Sequence, residues 1–189
     1  PPSDEEEEDV CWLCLDGEDE SGERLRRDCS CRGGSGWAHF SCIVEYAKQK
    51  TEQWSARDAV RKLVGPWRDC PSCKQRYQNE LSADLANEFV AFVEGKYPGD
   101  QKHIVALMVK LGAFMSMRPV TIKMKEAEQV ANKILSIIGQ MKKADPSLPR
   151  LVRCIEAESY NSLGRIAFKE GTKEGLQLAM KHFKKYKYT

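Results

Sequence analysis

From Asn79 onward the apolar positions return at steps of three and four. Leu81, Leu85, Phe89, Phe92 and Val93 form one stripe, the spacing of a single core-facing side of an α-helix. "YPGD" interrupts that stripe, and Asp100 is placed to cap a second helix running to about Met117, before Pro119. Ala127, Ala131, Ile134, Ile138 and Met141 mark a third, ended near Asp145-Pro146. Pro149 suits the first turn of a fourth helix. Gly171 ends it, and Thr172 can cap a fifth. No strand pattern appears in this stretch. Leu111-Gly112 and Leu163-Gly164 recur 52 residues apart, as do Ala127 and Ala179, and Lys133 and Lys185. The expectation for residues 79–189 is an all-α domain of antiparallel helical repeats.

The first part of the chain has no such stripe, apart from a helical stretch expected around "SARDAVRKLV". It is cysteine-rich instead. Of eight cysteines, seven lie between Cys11 and Cys73, with Cys154 alone beyond them. A disulfide framework in that region would leave one thiol over, and no signal peptide argues for secretion. The expected compartment is therefore intracellular, cytoplasmic or nuclear. Residues 1–10, with "SDEEEED", read as an acidic disordered tail. The net charge of +2 is near balance, so bulk electrostatics does not nominate nucleic acid as a partner. The most apolar run, "IVALMV" from Ile104, is cut by Lys110 and falls short of the ~18 residues a membrane span needs. The chain opens on Pro1 and closes inside a helix-like segment, so more repeats are expected to follow in a longer protein.

The cysteine spacings carry chemistry. Cys11 and Cys14 stand as CxxC, Cys29 and Cys31 as CxC, His39 and Cys42 as HxxC, and Cys70 and Cys73 as CxxC. A CxxC knuckle lets two thiolates meet one ion at about 2.3 Å without stretching the backbone. Four pairs make eight ligands, enough for two tetrahedral zinc ions with closed shells, structural rather than catalytic. Gly33, Gly34 and Gly36 allow the chain to turn sharply between the second and third pairs.

The ligand order, four cysteines, one histidine and three cysteines, is shared by two kinds of finger. In the plant-homeodomain finger only about four or five residues separate the fourth ligand from the fifth; here seven lie between Cys31 and His39, and one between Cys29 and Cys31. This spacing, with "CWLC" and "CSCRGGSGWAHFSCIVEY", resembles the RING-variant (RING-CH) finger of the membrane-associated RING-CH type E3 ubiquitin ligase family. The 27 residues between Cys42 and Cys70 lie at or slightly beyond that family's upper end. The spans most familiar members carry are absent from this sequence. The resemblance implies a small zinc-stabilised α+β cross-brace domain over residues 11–78. In it Cys11, Cys14, His39 and Cys42 would hold the first zinc, and Cys29, Cys31, Cys70 and Cys73 the second.

The resemblance also implies a function without covalent chemistry by the domain's own side chains. A ubiquitin-charged conjugating enzyme docks, and its thioester is held ready for attack, which is catalysis by positioning. Carried over residue by residue, the contacts would be Leu13 inside the first CxxC, Tyr46 where the family usually has tryptophan, Pro71 of "CPSC", and Lys74 after the last ligand. Trp12, Trp37 and Trp54 read as packing residues. Trp67, three residues before Cys70, keeps open the alternative of a plant-homeodomain-like reader of histone or other peptides; a zinc-capped helical scaffold is a third reading. Downstream, "YNSLGRIAF" and "QLAMKHFKKY" resemble a tetratricopeptide repeat, whose period is about 34 residues, with Gly164 and Ala179 at the closest helix approach and Tyr160, Leu163 and Phe183 filling between. That region would bind a protein substrate or scaffold. Cys154 reads as a small buried hydrophobe, and His103 and His182 as ordinary helix residues.

Overall fold

A computed structural model of the chain describes residues 9–17, 22–55, 57–98, 100–117 and 123–188. Most of the expected acidic tail, and Pro119, lie outside the described residues. Among the described residues there are seven helices: α1 (Phe40–Gln53), α2 (Val60–Arg68), α3 (Asn79–Lys96), α4 (Gln101–Ser116), α5 (Met124–Ala144), α6 (Arg150–Lys169) and α7 (Lys173–Tyr188). The chain divides into two compact units, residues 1–89 and 90–189, with the boundary inside α3. Among the described residues no helix is long and apolar enough to cross a membrane.

In the first unit, the apolar sides of two short helices meet. α1 buries Ile43, Val44, Ala47 and Thr51, and α2 buries Leu63, Val64 and Trp67. Trp67 sits at the centre of this core. Its ring stacks on Phe89 at 4.8 Å, and its indole N–H donates to Thr51 Oγ1 at 2.7 Å. Thr51 in turn donates to Ala47 O at 2.9 Å, so both buried polar groups are satisfied. Leu81, Leu85 and Phe89 complete the core from the start of α3. The expected α+β character reduces, among the described residues, to two isolated antiparallel bridges, Arg26 with Ala38 and Asp69 with Arg76. The long segment between Cys42 and Cys70 is taken up by α1 and α2, and the described parts of the shorter ones by turns and irregular chain.

In the second unit α4 packs on α5, α5 on α6, α4 also on α6, and α6 on α7. Ile104, Leu107 and Leu111 of α4, Ile134 and Ile138 of α5, and Val152, Ile155 and Leu163 of α6 are buried. Asp100 caps α4, accepting from the Lys102 amide at 3.0 Å. Glu156, buried on α6, is met by Lys142 Nζ at 2.6 and 2.7 Å to its two carboxylate oxygens. His103 is buried and faces Glu94 at 3.1 Å, while His182 stacks near Tyr160. Cys154 corrects an expectation: it is exposed, because the buried stripe of α6 runs through Val152, Ile155, Glu156 and Ser159 and leaves position 154 on the outer side.

The α6–α7 hairpin is closed by small residues. Gly171 takes a φ of +68°, which a glycine adopts without a Cβ penalty. Thr172 Oγ1 accepts from the Gly175 amide at 2.9 Å and caps α7. A Cβ at Gly175 would lie 2.7 Å from the backbone oxygen of Ala167, and one at Gly164 would meet the Phe183 ring. At position 175 the obstacle is backbone, which cannot swing aside. Gly175→Ala should therefore pry α7 from α6 and lower the stability of the helical unit by about 1–3 kcal/mol. Gly112→Ala, where nothing lies within 4 Å, should be neutral or stabilising in the same denaturant titration.

Candidate metal centre

Two CxxC turns of closely matched construction begin and end the site. In the first, the Leu15 amide donates to Cys11 O at 2.8 Å and the Cys11 amide to Asp16 O at 2.9 Å; in the second, Lys74 donates to Cys70 O at 2.9 Å and Cys70 to Gln75 O at 2.8 Å. The residue after each second cysteine adopts positive φ, +69° at Leu15 and +58° at Lys74. That left-handed step curls each loop around its own sulfurs, and the Leu13 amide points at Cys11 Sγ from 3.4 Å.

The other two pairs are set by a turn and a helix end. Between Cys31 and His39 the chain doubles back at Gly36, with φ +86°. A Cβ there would fall 2.6 Å from Cys31 Cβ, 2.7 Å from Cys31 Sγ and 3.3 Å from Cys29 Sγ. Arg27 clamps this loop, with its guanidinium 4.4 Å from the Trp37 ring centroid and hydrogen bonds to the Gly33 and Ser35 carbonyls. His39 is the N-cap residue of α1, but its imidazole turns toward the cysteines and caps nothing. Glu23 supplies the missing acceptor, taking the Ser41 amide at 3.2 Å and the Ser41 hydroxyl at 2.6 Å.

The first and third pairs thereby meet as one group, Cys11, Cys14, His39 and Cys42, and the second and fourth as another, Cys29, Cys31, Cys70 and Cys73. Within each, the ligand atoms lie within 4.8 Å of one another. Tetrahedral zinc with arms of about 2.3 Å to sulfur and 2.0–2.1 Å to nitrogen requires edges near 3.8 Å for S–S and 3.6 Å for S–N. Cys31 Sγ lies 3.7 Å from Cys70 Sγ, and His39 Nδ1 lies 3.3 Å from Cys14 Sγ and 3.7 Å from Cys42 Sγ. Each group fits one structural zinc ion, with Nδ1 as the histidine ligand atom. His39 Nε2 is buried without a hydrogen-bond partner among the described residues.

The electrostatics agree. Burial raises the Cys11 and Cys73 thiols, but backbone amides outweigh it and hold both at about 7; those amides belong to Cys14, His39 and Leu13 for the first, and to Gln75 and Ser30 for the second. Burial, reinforced by neighbouring cysteines, pushes Cys29 and Cys42 up to about 12. Three sulfurs in one group and four in the other, so crowded, cannot all be thiolates by themselves, and a dication in each removes that repulsion. Four donors per group leave no open position, so the ions hold structure and do no chemistry.

The remaining expected positions fall close to this framework. Leu13 and Pro71 are half-buried inside the two CxxC turns, and exposed Lys74 donates from Nζ to Pro71 O. Tyr46 is half-buried and meets Trp12 edge-on, centroids 5.7 Å apart. Sequence reasoning had no partner for Trp12. An aromatic in the first CxxC and another nearly two turns into α1 are the signal that could have joined them. Trp67 is a core residue.

The glycines offer a test inside one loop. Gly36→Ala drives a methyl into two ligand sulfurs and should lower bound zinc from two ions per chain to one. Gly33→Ala faces open space at φ +59°, should cost only about 1 kcal/mol, and should keep both ions. Elemental analysis of the purified variants reads the difference.

Residues 11–59 match the family model of the RING-variant domain, while no curated protein and no solved structure matches the chain. The match ends before Cys70 and Cys73, which α2 and the second CxxC turn return to the Cys29–Cys31 pair. RING-variant domains are typical of E3 ubiquitin ligases and commonly partner with ubiquitin-conjugating enzymes. This chain carries a RING-variant domain with two zinc-binding groups.

Proposed function

We propose that the chain is a module of an E3 ubiquitin ligase, with a cross-brace domain over residues 11–78 that docks a ubiquitin-charged conjugating enzyme. The observation that carries this reading is the pairing of ligands, first with third and second with fourth, with the first three pairs inside the residues that match the RING-variant domain and the fourth just beyond them. Holding the chain at both ends of the zinc framework fixes the two CxxC turns as rigid platforms. Leu13, next in the chain to Trp12, which meets Tyr46 edge-on, offers an apolar surface at one. Pro71 and Lys74 offer a proline and a cation at the other. Rigid platforms suit catalysis by positioning, since no ordering cost is paid when the partner arrives.

The membrane-associated RING-CH ligases are the proposed relatives. The helical region of residues 79–189 serves as a tetratricopeptide-like surface for a protein substrate or scaffold. Support for that second part comes from α4 packing on both α5 and α6, from the α6–α7 hairpin, and from the Phe183 ring against Gly164.

Leu13 and Lys74 are not metal ligands, so changing them should leave zinc content and helicity intact. Leu13→Ala removes an anchor from the docking face and should weaken conjugating-enzyme binding by about 2 kcal/mol, near thirtyfold. Lys74→Ala should bind nearly normally yet discharge ubiquitin more slowly, since the cation acts on the bound thioester conformation. The assay is single-turnover discharge across a panel of charged conjugating enzymes. A fully zinc-loaded protein that discharges none of them, and binds a histone-tail peptide instead, would transfer the domain to the reader class.

A further inference from the structure

α7 holds itself to α6 with small residues. Gly175 and Ala179 are buried, and Gly164 on α6 admits the Phe183 ring. Among the described residues Leu176, Leu178, Met180, Phe183 and Tyr186 of α7 stay exposed, Phe183 only at the edge of its contact with Gly164. Leu176, Met180 and Phe183 are 42%, 61% and 36% exposed. These three follow one another at steps of four and three, so they form a single line along the helix, with Leu178 on another side of it. Phe168, 60% exposed, stands one turn beyond Gly164 on the same side of α6. An apolar line of this length is more than the scattered exposed residues of an ordinary surface.

The charges around the line select its occupant. α7 carries five lysines and one glutamate. Lys173, three residues before Leu176, extends the line at one end, and Lys184 flanks Met180; both are exposed. Arg165 and Lys169 add exposed cations on α6. A second copy of the same face would bring like charges together, which costs free energy at an interface. The line is also narrow, because Gln177 and Lys184 close its edge. A narrow ridge at steps of four and three is the complement of another helix.

We propose that the outer side of α7, with Phe168, docks an amphipathic helix of a partner protein whose apolar ridge is flanked by Asp and Glu. This names a partner chemistry for the helical region and rests on the reading of that region as a protein-binding surface. The discharge reaction of the zinc domain does not depend on it, so discharge measured in parallel separates failure here from failure of the ligase reading.

The probe is a displayed library of amphipathic helical peptides with a fixed leucine ridge and Glu, Lys or Ala varied at the flanks, panned on the whole zinc-loaded chain. Selected peptides should be rich in Glu, and their binding should weaken with added salt. Met180→Glu, on an exposed position, should preserve helicity and reduce binding roughly tenfold or more. Lys173→Glu with Lys184→Glu should turn the selection toward Lys-rich peptides. Selection without charge preference, or binding that survives Met180→Glu, overturns the proposal. So does adsorption to phosphatidylserine vesicles without selection of any peptide, which would assign the face to a membrane surface.

Discussion

Coordination of two zinc ions by eight side chains is the constraint on which the first unit depends. Its N-terminal half has no ladder longer than a single bridge among the described residues, and its apolar core is built chiefly by α1, α2 and the start of α3, with Ala38, Trp54 and Tyr77 beside them. The segments carrying Cys11 to Cys31 add few large buried side chains, so apolar burial alone cannot order them. Metal binding in finger peptides provides about 10–16 kcal/mol, far above the ~1 kcal/mol net of an ordinary hydrogen bond. Each local device of the site serves that coordination. The left-handed residues Leu15 and Lys74 close the CxxC loops, Gly36 vacates the space the sulfurs need, and Glu23 caps α1 because His39 is committed elsewhere.

Coordination also explains how the short apolar core can be precise. Cys70 and Cys73 follow directly on α2, whose Trp67 reaches both Thr51 and Phe89. Arg26 pairs with Asp84 of α3 at 2.9 Å, and the Gln78 amide donates to Asp28 O at 2.7 Å. Ligand pairs and core residues thus alternate along the chain, so metal coordination and core packing constrain the same segments. The helical unit has no such dependence: its helices pack through ordinary apolar stripes, with Lys142 and Glu156 paired where a carboxylate is buried.

The chemistry of the site was legible because ligand spacing is a local property: CxxC, CxC and HxxC declare themselves in three or four residues. Helices were legible for the same reason, through stripes such as Ala127, Ala131, Ile134 and Ile138, and caps such as Asp100 and Thr172. What depended on contacts distant in sequence was hidden. Nothing near Glu23 says that it will cap a helix beginning at Phe40. Leu15 and Lys74 carry no sign of positive φ, since glycine is the residue that normally announces it. Cys154 was misplaced because a small residue one step off a buried stripe looks like part of it. The strands expected of an α+β domain shrank to bridges because metal, rather than a ladder, joins the segments.

X-ray absorption at the zinc edge of the purified protein tests the central claim most directly. Two ions held by seven cysteines and one histidine require an average first shell dominated by sulfur at about 2.3 Å, with one nitrogen at 2.0–2.1 Å for every seven sulfurs. That ratio, at two zincs per chain, is the predicted result. A shell containing oxygen, or a single zinc with sulfur alone, would contradict it.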